Sequence, residues 1–132
     1  MDEQKRELVT IAIPAYKADF LCDAISSALN QSYPFIELLI IDDDSPYDIN
    51  GIVCQFHDNR IRYCRNKTNL GSESAAHNWN KCLDEAKGEY FVLWCDDDML
   101  QPNMVSSMLV LAEKYPECGM FHANRSVLKK SG

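Results

Sequence analysis

Glycine is scarce in this sequence, with five in 132 residues and none before Gly51. A sugar-phosphate nucleotidyltransferase needs a glycine-rich, basic loop after its first strand to hold a triphosphate, and that loop is absent. Positive charge is also short. Thirteen Lys and Arg stand against twenty Asp and Glu, giving a net charge of −7 and a pI near 4.8. No broad basic face is available to neutralise nucleic-acid phosphates, so an anionic ligand would need a metal or backbone donors. No stretch approaches the roughly 18 apolar residues of a membrane span, and the opening "MDEQKRELVT" lacks the apolar segment of a signal peptide. The expected location is the cytoplasm, with a peripheral membrane position left open for a full-length protein. No CxxC occurs, and the six cysteines are scattered through apolar segments. They are read as reduced core residues rather than disulfides or a zinc site.

What is present is the composition of an ordinary globular domain, 46% hydrophobic and 25% charged. "LVTIAIP", residues 8–14, is a buried strand stopped by a proline. Asp19 is the expected cap of a following helix whose inner face carries Leu21, Ile25, Ala28 and Leu29. A second apolar run, Ile36 to Ile41, ends in Asp42, Asp43 and Asp44. Asp48 is the expected cap of a short helix bearing Ile49, Ile52, Val53 and Phe56, and "RIRYCR" alternates as a strand. Ala75, Ala76, Trp79, Cys82, Leu83 and Ala86 predict a helical stripe closed by Gly88. Tyr90 to Cys95 is a fourth strand, Pro102 opens a helix with Val105, Met108, Leu109 and Ala112 inward, and "CGMFHANRSV" is a fifth strand. Strict alternation of strand and helix predicts an α/β fold, an open, mostly parallel, doubly wound sheet with helices on both faces.

Ligands of such sheets bind beyond the carboxyl ends of the strands. Two aspartate triplets, Asp42–Asp44 and Asp96–Asp98, stand at such ends. Up to six like charges converging there require a compensating cation, or carboxylates turned to solvent. Oxygen donors with no nearby histidine favour Mg²⁺ or Mn²⁺. The plainer alternative is that each triplet is a solvated loop and helix cap, and the pattern alone leaves both open. A phosphoacceptor receiver domain would need its acidic pair after the first strand, where this chain has "PAY".

The segments "VTIAIPAYKADFLCDAISSALNQSYPFIELLIIDDDSPYD" and "NLGSESAAHNWNKCLDEAKGEYFVLWCDDDMLQP" resemble the nucleotide-binding half of the family 2 glycosyltransferases, over residues 8 to about 115. The resemblance implies the Rossmann-like GT-A fold and a nucleotide-sugar donor such as a UDP-sugar. By that likeness Pro14, Ala15 and Tyr16 form the loop along base and ribose, and Asp43 accepts a hydrogen bond from the base. Asn69 and Gly71 match an N-x-G turn beside the nucleotide, and Asn78 is a candidate for donor contact. Asp96, Asp97 and Asp98 cover a D-x-D-type motif, with Asp97 and Asp98 facing a Mn²⁺ or Mg²⁺ ion and Asp96 nearer the ribose. Three departures stand out. Lys17 replaces a frequent asparagine, Cys95 occupies the first place of the usual D-x-D-D, and the family continues for at least another hundred residues or so.

The resemblance implies inverting transfer of a sugar to an acceptor hydroxyl, on a lipid-linked or other glycan in polysaccharide synthesis. Glu113 and Glu117 are the only acids after Asp98, so no catalytic base is identified and one is expected beyond residue 132. The expectation is one donor-binding domain of a longer transferase, with weak or no activity alone. A non-catalytic nucleotide-binding or interaction module of the same fold is the alternative. Oligomeric state stays open, since exposed apolar surface would be able to drive pairing with a second copy. Trp79 and Trp94 are read as core residues rather than stacking platforms, His77 as a surface residue, and Lys129 and Lys130 as a solvated end.

Overall fold

The computed structural model describes residues 6–128. The chain runs through strand β1 (Val9–Ala15), helix α1 (Leu21–Leu29), β2 (Ile36–Asp42), α2 (Ile49–Val53), β3 (Ile61–Arg65), a 3-10 turn (Leu70–Ser72), α3 (Ala75–Glu85), β4 (Tyr90–Leu93) and α4 (Met104–Lys114). The strands form one parallel sheet in the order β3-β2-β1-β4. The chain therefore builds outward from β1 to β3 and then returns to the other side of β1. That reversal puts a topological switch point at the carboxyl ends of β1 and β4.

The apolar runs at β1 and β2 need cover on both faces, and alternate side chains find it. Val9, Ile11, Ile13 and Ala15 of β1 and Ile36, Leu38 and Ile40 of β2 pack with α1, α2 and Val105 of α4. Ala12, Leu39 and Ile41 point the other way, onto Cys82 of α3. Helices thus lie on both faces, as strand–helix alternation predicts.

Two polar clamps fix the chain around this core. Glu37 Oε1 takes the Thr10 hydroxyl and the Lys87 N–H, both at 2.6 Å, while Thr10 Oγ1 accepts from Gly88 N at 2.9 Å. Gly88 must be glycine, because a Cβ would sit 2.5 Å from the Thr10 nitrogen and 2.8 Å from the Leu8 oxygen. On the opposite face, buried Gln31 donates to the carbonyls of Ser27 and Gln101 and accepts the Val105 N–H at 3.0 Å. Ser27 Oγ accepts from Leu100 N at 3.0 Å. Together they pin the segment that follows the second aspartate triplet onto the end of α1.

Five expectations are corrected. Residues 118–127 form no strand: Cys118 N bonds back to Tyr115 O, Met120 and Val127 are more than four-fifths exposed, and β4 has no partner on its outer side among the described residues. A strand without a ladder partner leaves its backbone groups to water. Asp19 does not cap α1, whose first turn is closed by the Leu21 N–H to Ala18 O, whereas Asp48 does cap α2 through Gly51 N. Pro102 precedes α4 by two residues and uses its carbonyl to accept from Ser32 N. All six cysteines are unpaired as read, but only Cys82 is buried and four are exposed. The inner line of α3 is Asn78 and Cys82, one position round from the expected stripe, which leaves Trp79 and Leu83 exposed. Lys129 and Lys130 lie outside the described residues. Among those residues no helix is long and apolar enough to cross a membrane.

Candidate functional site

Beyond the carboxyl ends of the strands lies a crevice of about 360 Å³, lined from β1 by Pro14 and Tyr16 and from β2 by Asp43. Asn69 and Gly71 contribute from the turn after β3, Ala75, Asn78 and Trp79 from α3, and Cys95, Asp96 and Asp97 from the end of β4. Nearly all the residues expected at the site meet here. Ala15 does not line it: its methyl is fully buried in the core, and its carbonyl accepts the Asp43 N–H at 2.9 Å. Alternation along a strand decides this, because Pro14 faces one way and Ala15 the other.

The six carboxylates do not converge. Asp42 is fully buried beside the sheet, accepting from Ser45 N, the Tyr63 hydroxyl and Arg65 at 2.7–2.9 Å. Burial and the bond to Asp42 push the Tyr63 hydroxyl up to about 12, so it stays protonated and donating. Asp44, the one non-glycine residue at positive φ (54°) among the described residues, turns outward to Arg65 at 2.8 Å. One guanidinium therefore pairs with two of the first triplet, leaving Asp43 to line the crevice.

Asp43 is only 4% exposed and is held on both oxygens. Oδ1 accepts from Asn66 Nδ2 (2.9 Å) and Leu70 N (2.7 Å), and Oδ2 from Gly71 N (2.8 Å). Oδ2 accepts only that one bond and so retains acceptor capacity, in a residue that lines the crevice. A Cβ on residue 71 would fall 2.8 Å from that oxygen, which accounts for the glycine of the N-x-G turn. The charge of Asp43 adds to burial in raising the Cys82 thiol to about 12, so this cysteine is inert packing.

The second triplet divides differently. Asp96 is buried, and its Oδ2 accepts from both Tyr16 N and Lys17 N at 2.8 Å. It bridges the switch point and holds the β1 loop against the end of β4. Asp97 and Asp98 are exposed, have no cationic partner among the described residues, and with Cys95 offer ligand atoms within 4.8 Å of one another. Burial, then the neighbouring Asp98, Asp97 and Asp96, raises the Cys95 thiol, so it stays protonated at neutral pH. Two exposed carboxylates with no cationic partner among the described residues fit a hard divalent cation.

Trp79 is 43% exposed and lines the crevice, which corrects its assignment to the core, whereas Trp94 packs against the core as read. The reason is the rotation of α3: Asn78 occupies the inner line because Asn66 satisfies its amide oxygen at 2.9 Å. Asn66 escaped sequence reasoning; a lone polar residue just after a strand was its only signal. His77 is exposed on α3. Glu113 and Glu117 do not line the crevice.

A family model described as glycosyl transferase family 2 matches residues 10–129. The chain is 30% identical over 106 residues to the glycosyltransferase GlyG of Streptococcus pneumoniae, covering 77% of this chain and 34% of that protein. It is 33% identical over 108 residues to the Escherichia coli UDP-Glc:alpha-D-GlcNAc-diphosphoundecaprenol beta-1,3-glucosyltransferase WfgD, covering 81% and 42%. The chain thus spans about a third to two fifths of the length of these curated relatives. In fold it matches the mannosyltransferase PcManGT of Pyrobaculum calidifontis, solved with GDP-Man and Mn²⁺. The TM-score is 0.72 at 20% identity, over 83% of this chain and 33% of that one. With a parallel GT-A sheet, a crevice at its switch point and a family match over nearly its whole length, this chain belongs to glycosyl transferase family 2.

Proposed function

We propose that this chain is the donor-binding domain of an inverting glycosyltransferase that takes a sugar from a nucleoside diphosphate carrier, such as a UDP-sugar, to an acceptor hydroxyl. The observation that carries the reading is the division of the carboxylates. Asp43 lines the crevice with acceptor capacity left on Oδ2, while Asp97, which also lines it, and Asp98, which does not line it but offers a ligand atom beside Asp97, are exposed and have no cationic partner among the described residues. The first suits an N–H of a nucleobase, and the second suits a Mn²⁺ or Mg²⁺ ion beside a diphosphate. The UDP-Glc in the name of WfgD, and the GDP-Man and Mn²⁺ with which PcManGT was solved, support donors of this class. The diphosphoundecaprenol in the name of WfgD supports a lipid-linked glycan as acceptor.

In this reading the bound cation stabilises charge on the departing diphosphate, a contribution usually of several kcal/mol. The chain's own residues do the rest of the donor work. Asp97 and Asp98 would hold the ion, Asp96 fixes the Tyr16 loop against the end of β4 where a nucleoside would lie, and Trp79 offers an aromatic side chain at the crevice wall. A general base for the acceptor hydroxyl belongs in the part of the relatives' length that this chain does not span. A cytoplasmic location, at the membrane periphery for a lipid-linked acceptor, accords with this activity.

Calorimetric titration with UDP, with and without Mn²⁺, tests the reading. Binding that requires the metal, disappears in Asp97→Ala/Asp98→Ala and weakens in Asp43→Ala is the expected result. A folded chain that binds no nucleoside diphosphate under any of these conditions overturns it.

A further inference from the structure

Asp43 dictates the orientation of two neighbouring carboxamides. A carboxylate only accepts hydrogen bonds, and the other donors around Asp43 are the backbone N–H groups of Leu70 and Gly71. Asn66, bonded to the same carboxylate at 2.9 Å, must therefore present its NH₂ group. That nitrogen also reaches Asn78 at 2.9 Å, so Asn78 must turn its oxygen toward Asn66. Its own NH₂ is then aimed away from Asn66.

Asn78 lines the crevice yet is only 3% exposed, and its Nδ2 bonds to no described residue. Nδ2 is not sealed from solvent, and the open space that Asn78 meets is the crevice it lines, where a ligand acceptor would satisfy this donor. Because one Asn66 nitrogen bonds both neighbours, the Asp43 carboxylate and the Asn78 carboxamide are held side by side.

We infer that Asn78 donates to the nucleobase beside the acceptor Asp43, with Asn66 as the positioning residue that holds the Asn78 oxygen and so turns its NH₂ to the other side. This rests on the nucleotide reading proposed above and deepens it. The pair is complementary to a base edge carrying an N–H next to a C=O. Uracil presents N3–H beside O4, and guanine presents N1–H beside O6. Cytosine and adenine present an unprotonated ring nitrogen at the same place, which a carboxylate repels, and an amino group where the Asn78 NH₂ needs an acceptor. Asn66 is partly buried behind the crevice and does not line it, so its effect on base choice passes through Asn78.

The test is titration of the chain with UDP, GDP, CDP and ADP in Mn²⁺, for the wild type, Asn66→Ala and Asn78→Ala, with melting curves to establish folding. The wild type is expected to favour UDP or GDP over CDP and ADP by about tenfold or more. Asn78→Ala should reduce that ratio about three- to tenfold, and Asn66→Ala should reduce it comparably because the freed amide can flip. A purely structural role for Asn66 would weaken all four ligands alike and leave the ratio unchanged. If Asn66→Ala does not fold, the ratio in Asn78→Ala decides alone. Wild-type ratios in the folded variants, or a wild type that binds all four equally, overturn the inference while leaving the nucleotide site standing. A wild type that binds none of the four removes both.

Discussion

Replacing Asp96 by alanine should cost more stability than any other change in the second aspartate triplet. Its Oδ2 accepts two backbone N–H groups, from Tyr16 and Lys17, each at 2.8 Å. Hydrogen bonds to a charged partner contribute about 1.5–3 kcal/mol each, and the lower end applies because Tyr16 and Lys17 are exposed enough for water to reach their freed N–H groups. The expected loss is about 3 kcal/mol, a large share of the 5–15 kcal/mol typical of a domain. With a urea slope of about 2 kcal/mol/M, the unfolding midpoint should fall by about 1.5 M. Asp96→Asn keeps an acceptor oxygen and should lose about half as much. Removing any of the three acids also relieves mutual repulsion, so Asp97→Ala and Asp98→Ala serve as controls for that term. Both are exposed and make no salt bridge among the described residues, and their midpoints should match or exceed the wild type. An Asp96→Ala midpoint equal to that of the wild type, with Asp97→Ala lowered instead, would refute the division of roles.

Other outcomes follow from the same geometry. Gly71→Ala should weaken UDP binding by about tenfold or more in calorimetry, because the new Cβ lies 2.8 Å from Oδ2 of Asp43, the crevice acid, and would displace that carboxylate. Gly88→Ala should cost about 2–4 kcal/mol in urea denaturation, since the 2.5 Å approach is to the Thr10 backbone nitrogen, which cannot swing aside. Nucleotide with Mg²⁺ should quench tryptophan fluorescence, and Trp79→Phe should remove the part of that signal that comes from the exposed indole lining the crevice, the remainder belonging to Trp94, whose indole N–H bonds to Asp98 O at 3.2 Å. Burial alone would raise the Glu37 carboxyl, but the bonds from Thr10 and the Lys87 N–H, with the Arg62 charge, bring it below 4.5. A lowered folded-state value contributes stability above 4.5 that is lost as pH falls through the folded value. The stability gap between wild type and Glu37→Gln, followed by urea midpoints, should therefore be present at neutral pH and shrink below pH 4.5.

Strands were legible where short apolar, β-branched runs stand between turn signals, as in residues 9–15 and 36–42, because runs of that length are buried on both sides of a parallel sheet; before Asp42 only Thr10 and Glu37 interrupt them, and those two bond each other. The aspartate clusters were legible as charge gathered where each apolar run stops, although Asp42 itself stays in β2, fully buried against Tyr63 and Arg65. The segment 118–127 has strand-like composition and no partner, and a strand depends on its neighbour.

What the sequence by itself determined is the alternation of elements, hence a parallel sheet, and the gathering of acids, an N-x-G turn and small or polar residues at one end of it. Those are local properties, set by hydrophobic period and turn chemistry. The division of labour among the acids was decided only in three dimensions. Asp42, Asp43 and Asp44 are identical letters, yet one is buried against Arg65 and Tyr63, one is enclosed by Asn66, Leu70 and Gly71, and one turns outward onto the exposed side of Arg65. The partners stand twenty or more residues away in the chain, and only the packing of β2 against β3 and α3 brings them within hydrogen-bonding distance. A carboxylate's role depends on the donors around it, and those are a property of the fold.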